Sequence, residues 1–442
     1  MFKKSFTTLV LLLIIGVTFS QNINTAKLDS LLDILGANNK FMGSVAVSKN
    51  GKQVYTRNVG YSYISANKKI LNDASTKYQI GSVTKMFTAA IIFQFIDEKK
   101  ITLETKLSEY FPQIPNSKKI TIKMLLGHRS GLFDFVNDIK DENYLTKKRD
   151  KQTLLKIITT GKPHFKPNSN FSYCNSGYLL LSYIIEKVTL LHFKDAVQER
   201  ICNKINLSNT FSCATNDTKN NIAIPYSFNG KWNEIKDFYF PNVQGVGDII
   251  STASDLVIFN EALLAGKLFS IQSLEKMKII SGSQFGLGIM QIPIGNKTAY
   301  GHSGDSYGTH TLVVKFEKDS LSIASINNGE VMEHDAINYA IAKICLNKYY
   351  EIPSFNTIVI KSKDLDQYLG EYYSAELPLK IKITKTNNTL VAQATGQNSF
   401  KLVPTGNNKF EYEEAGIKLE FILTEAKMIL HQNGKQYNFN KK

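Results

Sequence analysis

The sequence predicts an α+β protein: one antiparallel sheet flanked by helices, a helical lobe beside it, and a small all-β domain after it. Three observations predict this. Alternating apolar and polar runs bounded by turn residues occur near both ends of the first 350 residues. Helical periodicity dominates between them, from Ser82 to about Phe269. Beyond about Tyr350 only short alternating runs recur. A chain of 442 residues exceeds one comfortable core, so two domains are expected. The boundaries read as 1–20 for a signal peptide, 21–350 for the first domain, 351–362 for a linker and 363–442 for the second.

The opening "MFKKSFTTLVLLLIIGVTFSQ" has a positive start at Lys3 and Lys4, an apolar stretch from Leu9 to Phe19, and small side chains at Thr18 and Ser20 before Gln21. That is the grammar of a cleaved signal peptide. The apolar stretch is shorter than the roughly 20 residues of a spanning helix, and no cysteine follows it for lipid attachment. Export to the periplasm or beyond is expected, with no membrane span after cleavage. Next, "INTAKLDSLLDILGANN" sets Leu28, Leu31, Leu32 and Leu35 on one helical face. "GSVAVSKNGKQVYTRNVGYSY" alternates around Asn50-Gly51, a strong hairpin signal. After the helical middle, "HTLVVKFEKDSLSIASINNG" reads as a second hairpin and "VMEHDAINYAIAKICLNKYY" as a closing helix. The last segment alternates between turns at Asn387-Asn388, Gly406-Asn407-Asn408 and Asn433-Gly434, a β-meander expected to close as a lipocalin-like barrel or a sandwich.

Composition narrows the function. With 43% hydrophobic and 21% charged residues the chain is neither disordered nor fibrous. Its formal charge of +15 comes from lysine scattered along the whole length, and only four arginines occur (Arg57, Arg129, Arg149 and Arg200). Arginine dominates specific phosphate and base recognition, so nucleic-acid binding is not expected. The four cysteines are too few for a disulfide scaffold; Cys202 and Cys213 are placed to close a short loop, while Cys174 and Cys345 read as buried thiols.

The chemistry begins at "YQIGSVTKMFTAAIIFQFIDE", where Ser82 precedes Lys85 by one helical turn. Ser-x-x-Lys also occurs at Ser65/Lys68 and Ser273/Lys276, so the spacing alone decides little. At Ser82 the context differs: Gly81 permits a tight turn into a helix whose N-terminal N–H groups would face an oxyanion. The bland alternative makes Ser82 an N-cap and Lys85 a solvated side chain. "FSYCNSGYLLL" then holds Tyr173 and Asn175 just before an apolar helix. A phenol beside a protonated lysine can fall below its usual pKa of about 10 and serve as a base. "AYGHSGDSYG" holds His302, Ser303 and Gly304 on or beside a strand, with the glycine expected to let a substrate backbone approach.

Together and in this order, Ser-x-x-Lys, Tyr-x-Asn and His-Ser-Gly resemble the three active-site motifs of the serine β-lactamase and penicillin-binding-protein superfamily. The nearest likeness is to class C β-lactamases, D-alanyl-D-alanine carboxypeptidases and esterase-like serine hydrolases. "TIKMLLGHRSGL", "GVGDIISTASDLVIFNEALL" and "FGLGI" are similar to further segments of that superfamily, and the resemblance spans about Lys27 to Leu346. It implies a β-lactamase/transpeptidase-like fold with no cofactor and no metal. It further implies Ser82 as nucleophile, Lys85 and Tyr173 as proton carriers, and Asn175 as the holder of the substrate amide. His302 and Ser303 would bind the substrate carboxylate, with Gly304 completing that substrate-binding motif, and the backbone N–H groups of Ser82 and Asp305 would form the oxyanion hole.

Several positions depart from the pattern. His-Ser-Gly stands where many β-lactamases have Lys-Thr-Gly, and a histidine titrating near roughly 6.5 would lose its hold on a carboxylate above neutral pH. Cys174 replaces a serine, Arg129 replaces a threonine, and no Glu-x-x-Leu-Asn motif for deacylation occurs. The expected activity is an exported serine hydrolase acting on a D-amino-acid peptide, amide or ester. A class C-like β-lactamase is the alternative, and a non-catalytic ligand- or peptidoglycan-binding relative is the alternative of another kind. Two rivals are weaker still. Gly304-x-Ser306-x-Gly308 fits a nucleophile elbow, but an alternating strand follows where a helix is required. The seven histidines are scattered without ligand spacing. The aromatic loops 133–150 and 223–240 are expected to line the cleft.

Overall fold

The computed structural model describes residues 23–141, 144–213, 221–235, 239–330, 332–355, 360–412, 415–432 and 435–442. The signal-peptide expectation lies outside them. Helix α1 (Thr25–Ala37) begins at Asn24, whose side chain accepts the Lys27 N–H, and it buries the leucine stripe Leu28, Leu31, Leu32 and Leu35. The first hairpin forms as expected. Strands β1 (Phe41–Lys49) and β2 (Lys52–Val59) are joined by Asn50 and Gly51, both at positive φ, the conformation that matches strand twist in a two-residue turn.

Four later strands complete the main sheet: β3 (Met290–Ile294), β4 (Lys297–Ser306), β5 (Thr309–Phe316) and β6 (Leu321–Glu330). Their order is β3-β4-β5-β6-β1-β2, antiparallel throughout, so the chain's first strands pair with its last. A short hairpin, Tyr226–Phe228 with Trp232–Glu234, adds to the sheet through one parallel contact with β6. Alternation sorts the two faces. Val45, Val47, Val314 and Ile323 share a core with α1 and with the last helix of this domain, α5 (His334–Cys345). Ala46, Val313 and Ala324 face the helical lobe.

In that lobe, α2 (Thr84–Asp97) is buried at every position from Thr84 to Phe95, so it runs through the core rather than along its surface. Helix α3 (Asn175–Thr189) packs beside it, and α4 (Ala253–Leu264) stacks Phe259 on Phe87 with ring centroids 3.7 Å apart. Glu261 of α4 accepts from Ser48, Ser322 and Lys315, tying the helix to β1, β6 and β5. Helix α5 closes the opposite face. Eight further strands between Gly370 and Lys441 form a closed antiparallel barrel, sealed where Tyr372 and Tyr373 meet Lys441 and Asn440. Side chains fill its interior, among them Leu365 and Tyr368 from the turn that precedes it. A barrel is therefore the outcome of the barrel-or-sandwich alternative. The turn at Asn433-Gly434 lies outside the described residues.

All four cysteines are buried thiols. The Cys202–Cys213 bridge that the spacing would allow does not form; the Cys202 thiol donates to the Thr210 carbonyl instead. Among the described residues, no helix is long and apolar enough to cross a membrane.

Candidate active site

Ser82 sits in a single 3-10 turn, Gly81–Val83, that runs directly into α2. Gly81 has φ of +51°, which favours glycine, and a Cβ there would lie within 2.9 Å of the Asp305 backbone. Ser82 is not an N-cap, because neither the turn nor α2 has a side-chain cap. Its Oγ lies between two partners, Lys85 Nζ at 2.9 Å and the Tyr173 hydroxyl at 2.9 Å. Lys85 also donates to the Val246 carbonyl at 3.1 Å.

Lys85 is completely buried, and loss of water lowers its pKa to about 7, against a smaller upward pull from Asp134. A neutral amine has two protons and one lone pair. With one proton on Val246, the lone pair can face the Ser82 hydroxyl. Tyr173 corrects the expectation drawn from sequence. Burial pushes its phenol well above the usual value, and the hydrogen bond to Ser82 pulls the other way without cancelling it. The structure therefore holds a neutral phenol that donates to Ser82, with the lysine as the basic partner. His128, from the "LLGHRSGL" segment, stacks on the Tyr173 ring at 4.4 Å and accepts the Cys174 N–H at Nδ1. Burial and nearby Lys85 keep this imidazole neutral. Cys174 is a thiol pushed up to about 12 by burial, which suits it to packing rather than reaction.

Asn175 opens α3 under a buried carboxylate that the sequence did not single out. Asp134 accepts the Asn175 backbone N–H at 3.1 Å and its side-chain Nδ2 at 3.0 Å, and also the Asn137 Nδ2 at 2.9 Å. A carboxylate accepts only, so it fixes the Asn175 amide with Oδ1 pointing away from it. Arg129 is a strut rather than a binding group: it donates to Asn168 and to the Ser281 carbonyl. A second buried carboxylate, Asp248, accepts from Gly245 N–H and from Ser212, shaping the loop that presents Val246; burial raises its pKa to about 7.

The third motif lies on β4. Gly304 faces the serine turn, since a Cβ there would come 2.1 Å from the Ile80 carbonyl oxygen and 2.9 Å from Ser82 N. The glycine is required by this strand-to-turn contact, a reason the sequence did not suggest. His302 is only 2% exposed, and burial drops its pKa to about 4, although a hydrogen bond with the Ser303 carbonyl pulls the other way. It is neutral near pH 7, so the expected loss of carboxylate binding above neutral pH has no basis in His302. Ser303 turns toward the Met290 sulfur. The cavity of about 230 Å³ at the serine is lined instead by the next residues of the chain, Asp305 and Ser306 at the end of β4 and Tyr307 in the turn after it, together with Ser82, Tyr173 and Asn175.

The flanking loops supply Val136, Asn137 and Leu145. Contrary to expectation, none of the described aromatics of these loops is among the residues lining the cavity: Phe135 is buried, and Tyr144 packs under Arg149. The rival sites resolve as structural. Ser65 and Lys68 close a β-turn, and Ser273 donates to Asp97. Ser306 ends a strand that turns back into another strand, so it has no elbow.

Comparison with known proteins agrees with this fold. Penicillin-binding protein 4* of Bacillus subtilis (strain 168) is 24% identical over 443 residues, covering 92% of this chain and 97% of that protein. A D-amino acid amidase from Ochrobactrum anthropi SV3 superposes with a TM-score of 0.66 at 21% identity, over 73% of this chain and 98% of that one. An octameric penicillin-binding protein homologue from Pyrococcus abyssi does so with a TM-score of 0.67 at 20% identity, over 94% of this chain and all of that one. The family described as Beta-lactamase matches residues 28–346, well over half of the 442, and the chain belongs to that family of serine hydrolases.

Proposed function

We propose that this chain is an exported amidase or peptidase for D-amino-acid derivatives, acting through an acyl-enzyme on Ser82. One observation carries the mechanism: a single serine oxygen held at 2.9 Å from both a lysine amine depressed by burial and a neutral tyrosine hydroxyl. In this reading Lys85 takes the Ser82 proton as Oγ bonds to the substrate carbonyl carbon. The oxyanion is met by the backbone N–H groups of Ser82 and Asp305. When the C–N bond breaks, Tyr173 protonates the leaving nitrogen and regains its proton from the Lys85 ammonium. Water then releases the acyl group by the same steps in reverse. Asn175 Oδ1, oriented by Asp134, accepts the substrate's amide N–H.

The preference for an amide or peptide over a β-lactam rests on the neutral His302 and on the D-amino acid amidase among the structural neighbours. Export rests on the N-terminal sequence alone. The test is covalent labelling by a serine-directed phosphonate, alongside hydrolysis of D-amino-acid amides, D-peptides, short esters and a cephalosporin. Wild type should label and Ser82→Ala should not, while Ser306→Ala should label normally. Equal labelling of wild type and Ser82→Ala would remove the enzyme reading.

A further inference from the structure

Seven histidines scattered through the sequence gave no sign of a metal site, yet the fold gathers two of them against a carboxylate at the cavity rim. We propose that Asp305, His310 and His334 form a binding site for one divalent transition-metal ion of the Zn²⁺ class. Each offers one ligand atom, and these atoms all lie within 4.8 Å of one another. Asp305 Oδ1 is 2.7 Å from His310 Nδ1 and 4.0 Å from His334 Nε2. A tetrahedral ion with bonds of about 2.0–2.1 Å separates its ligands by roughly 3.3 Å, a value these two distances bracket. Two imidazole nitrogens and a carboxylate oxygen are a donor set that favours such ions over Mg²⁺ or Ca²⁺.

The three residues come from three elements: the end of β4, the start of β5 and the first residue of α5. The imidazole rings stack nearly parallel, with centroids 4.7 Å apart and planes 12° apart. Two imidazolium cations would repel in that arrangement, whereas two neutral rings sharing an ion would not. The Asp305 side chain is 64% exposed and the two histidines about a quarter, leaving room for a water as fourth ligand. His334 also lies 3.3 Å from Asp335, so a hydrogen-bonded His–Asp network without metal is the rival arrangement.

An ion here would matter to the cavity, because Asp305 and the two residues after it line that cavity. Bound metal replaces a carboxylate's negative charge at the rim with a positive one. Substrates with a free terminal carboxylate would then be favoured over their amides. That consequence rests on Ser82 being the nucleophile; the ion site does not.

The test uses the full chain after chelator treatment and dialysis. Calorimetric titration with Zn²⁺ should give one site per chain, and Co²⁺ should give the intense visible absorption of a tetrahedral centre. His310→Ala and His334→Ala should each weaken binding by more than about 100-fold, beyond what loss of an outer partner costs, with circular dichroism confirming their folds. His431→Ala, in the barrel, should bind as wild type does. Absence of a stoichiometric site, or unchanged affinity in both rim variants, overturns the proposal in favour of the hydrogen-bonded network. Phosphonate labelling in the presence of chelator separates the two readings. Labelling without ion binding sinks only the metal site, and ion binding without labelling sinks only the hydrolase mechanism.

Discussion

Lys85 shows how a single residue's burial becomes chemistry. Taken from water, with only a smaller opposing pull from Asp134, it has a pKa lowered from 10.5 to about 7 and meets Ser82 as an amine. The rate constant for phosphonate labelling should therefore rise with pH through about 7 and level off above it. A profile flat from pH 5 to 9 would deny Lys85 the role of base. The same shift has a thermodynamic sign. Between pH 7 and 10.5 the unfolded chain holds a proton that the folded chain does not, so this group makes stability rise with pH across that window. Lys85→Met should abolish labelling and raise the melting temperature, most of all at the acid end. Tyr173, held neutral, gives a complementary expectation. Tyr173→Phe removes the proton donor to Ser82 and should slow acylation by an amide about 10²–10⁴-fold. An ester with a good leaving group should suffer less, since it needs no such proton, and equal losses on both would argue that the ring only packs.

At the scale of elements, the site is a junction between a strand and a turn. β4 passes so close to Ile80–Val83 that only a glycine fits at 304, and Gly81 must adopt a left-handed φ on the other side of the contact. Gly304→Ala should push the strand away and misplace Asp305 relative to Ser82. A displacement of about 1 Å is enough to cost roughly 10² in rate. The expected result is a fall of that order in acylation while circular dichroism stays native. Unchanged acylation would mean that the strand yields without moving the serine turn. Asp134 plays a similar organising part, since one carboxylate orients both Asn175 and Asn137 toward the cavity.

At the scale of the molecule, the barrel has a core of its own, running from Leu365 to Phe439 and separate from those of the sheet and lobe. Phe439 is fully buried in it. Phe439→Ala should destabilise the barrel by about 3–5 kcal/mol and lower a melting transition of its own, leaving phosphonate labelling unchanged. A single shifted transition with lost labelling would show that barrel and hydrolase unfold as one unit.

Much of this was legible in the chain because periodicity is local. The leucine stripe of α1, both hairpins, α5 and the meander each announce their burial within a dozen residues. The ordered motifs Ser82-x-x-Lys85, Tyr173-x-Asn175 and His302-Ser303-Gly304 pointed to the chemistry, and the family match covers the residues that carry them. What sequence could not convey was environment. Which proton each group holds depends on how much water the surrounding elements exclude, so the lysine rather than the tyrosine became basic and His302 became neutral. Nor do residues 305, 310 and 334 signal one another along the chain, because only the pairing of β4 with β5 and the return of α5 bring them within reach. Which groups are present, and in what order, can be read from the chain alone. The tertiary structure decided their charge and their company, since desolvation and proximity are properties of the packed molecule.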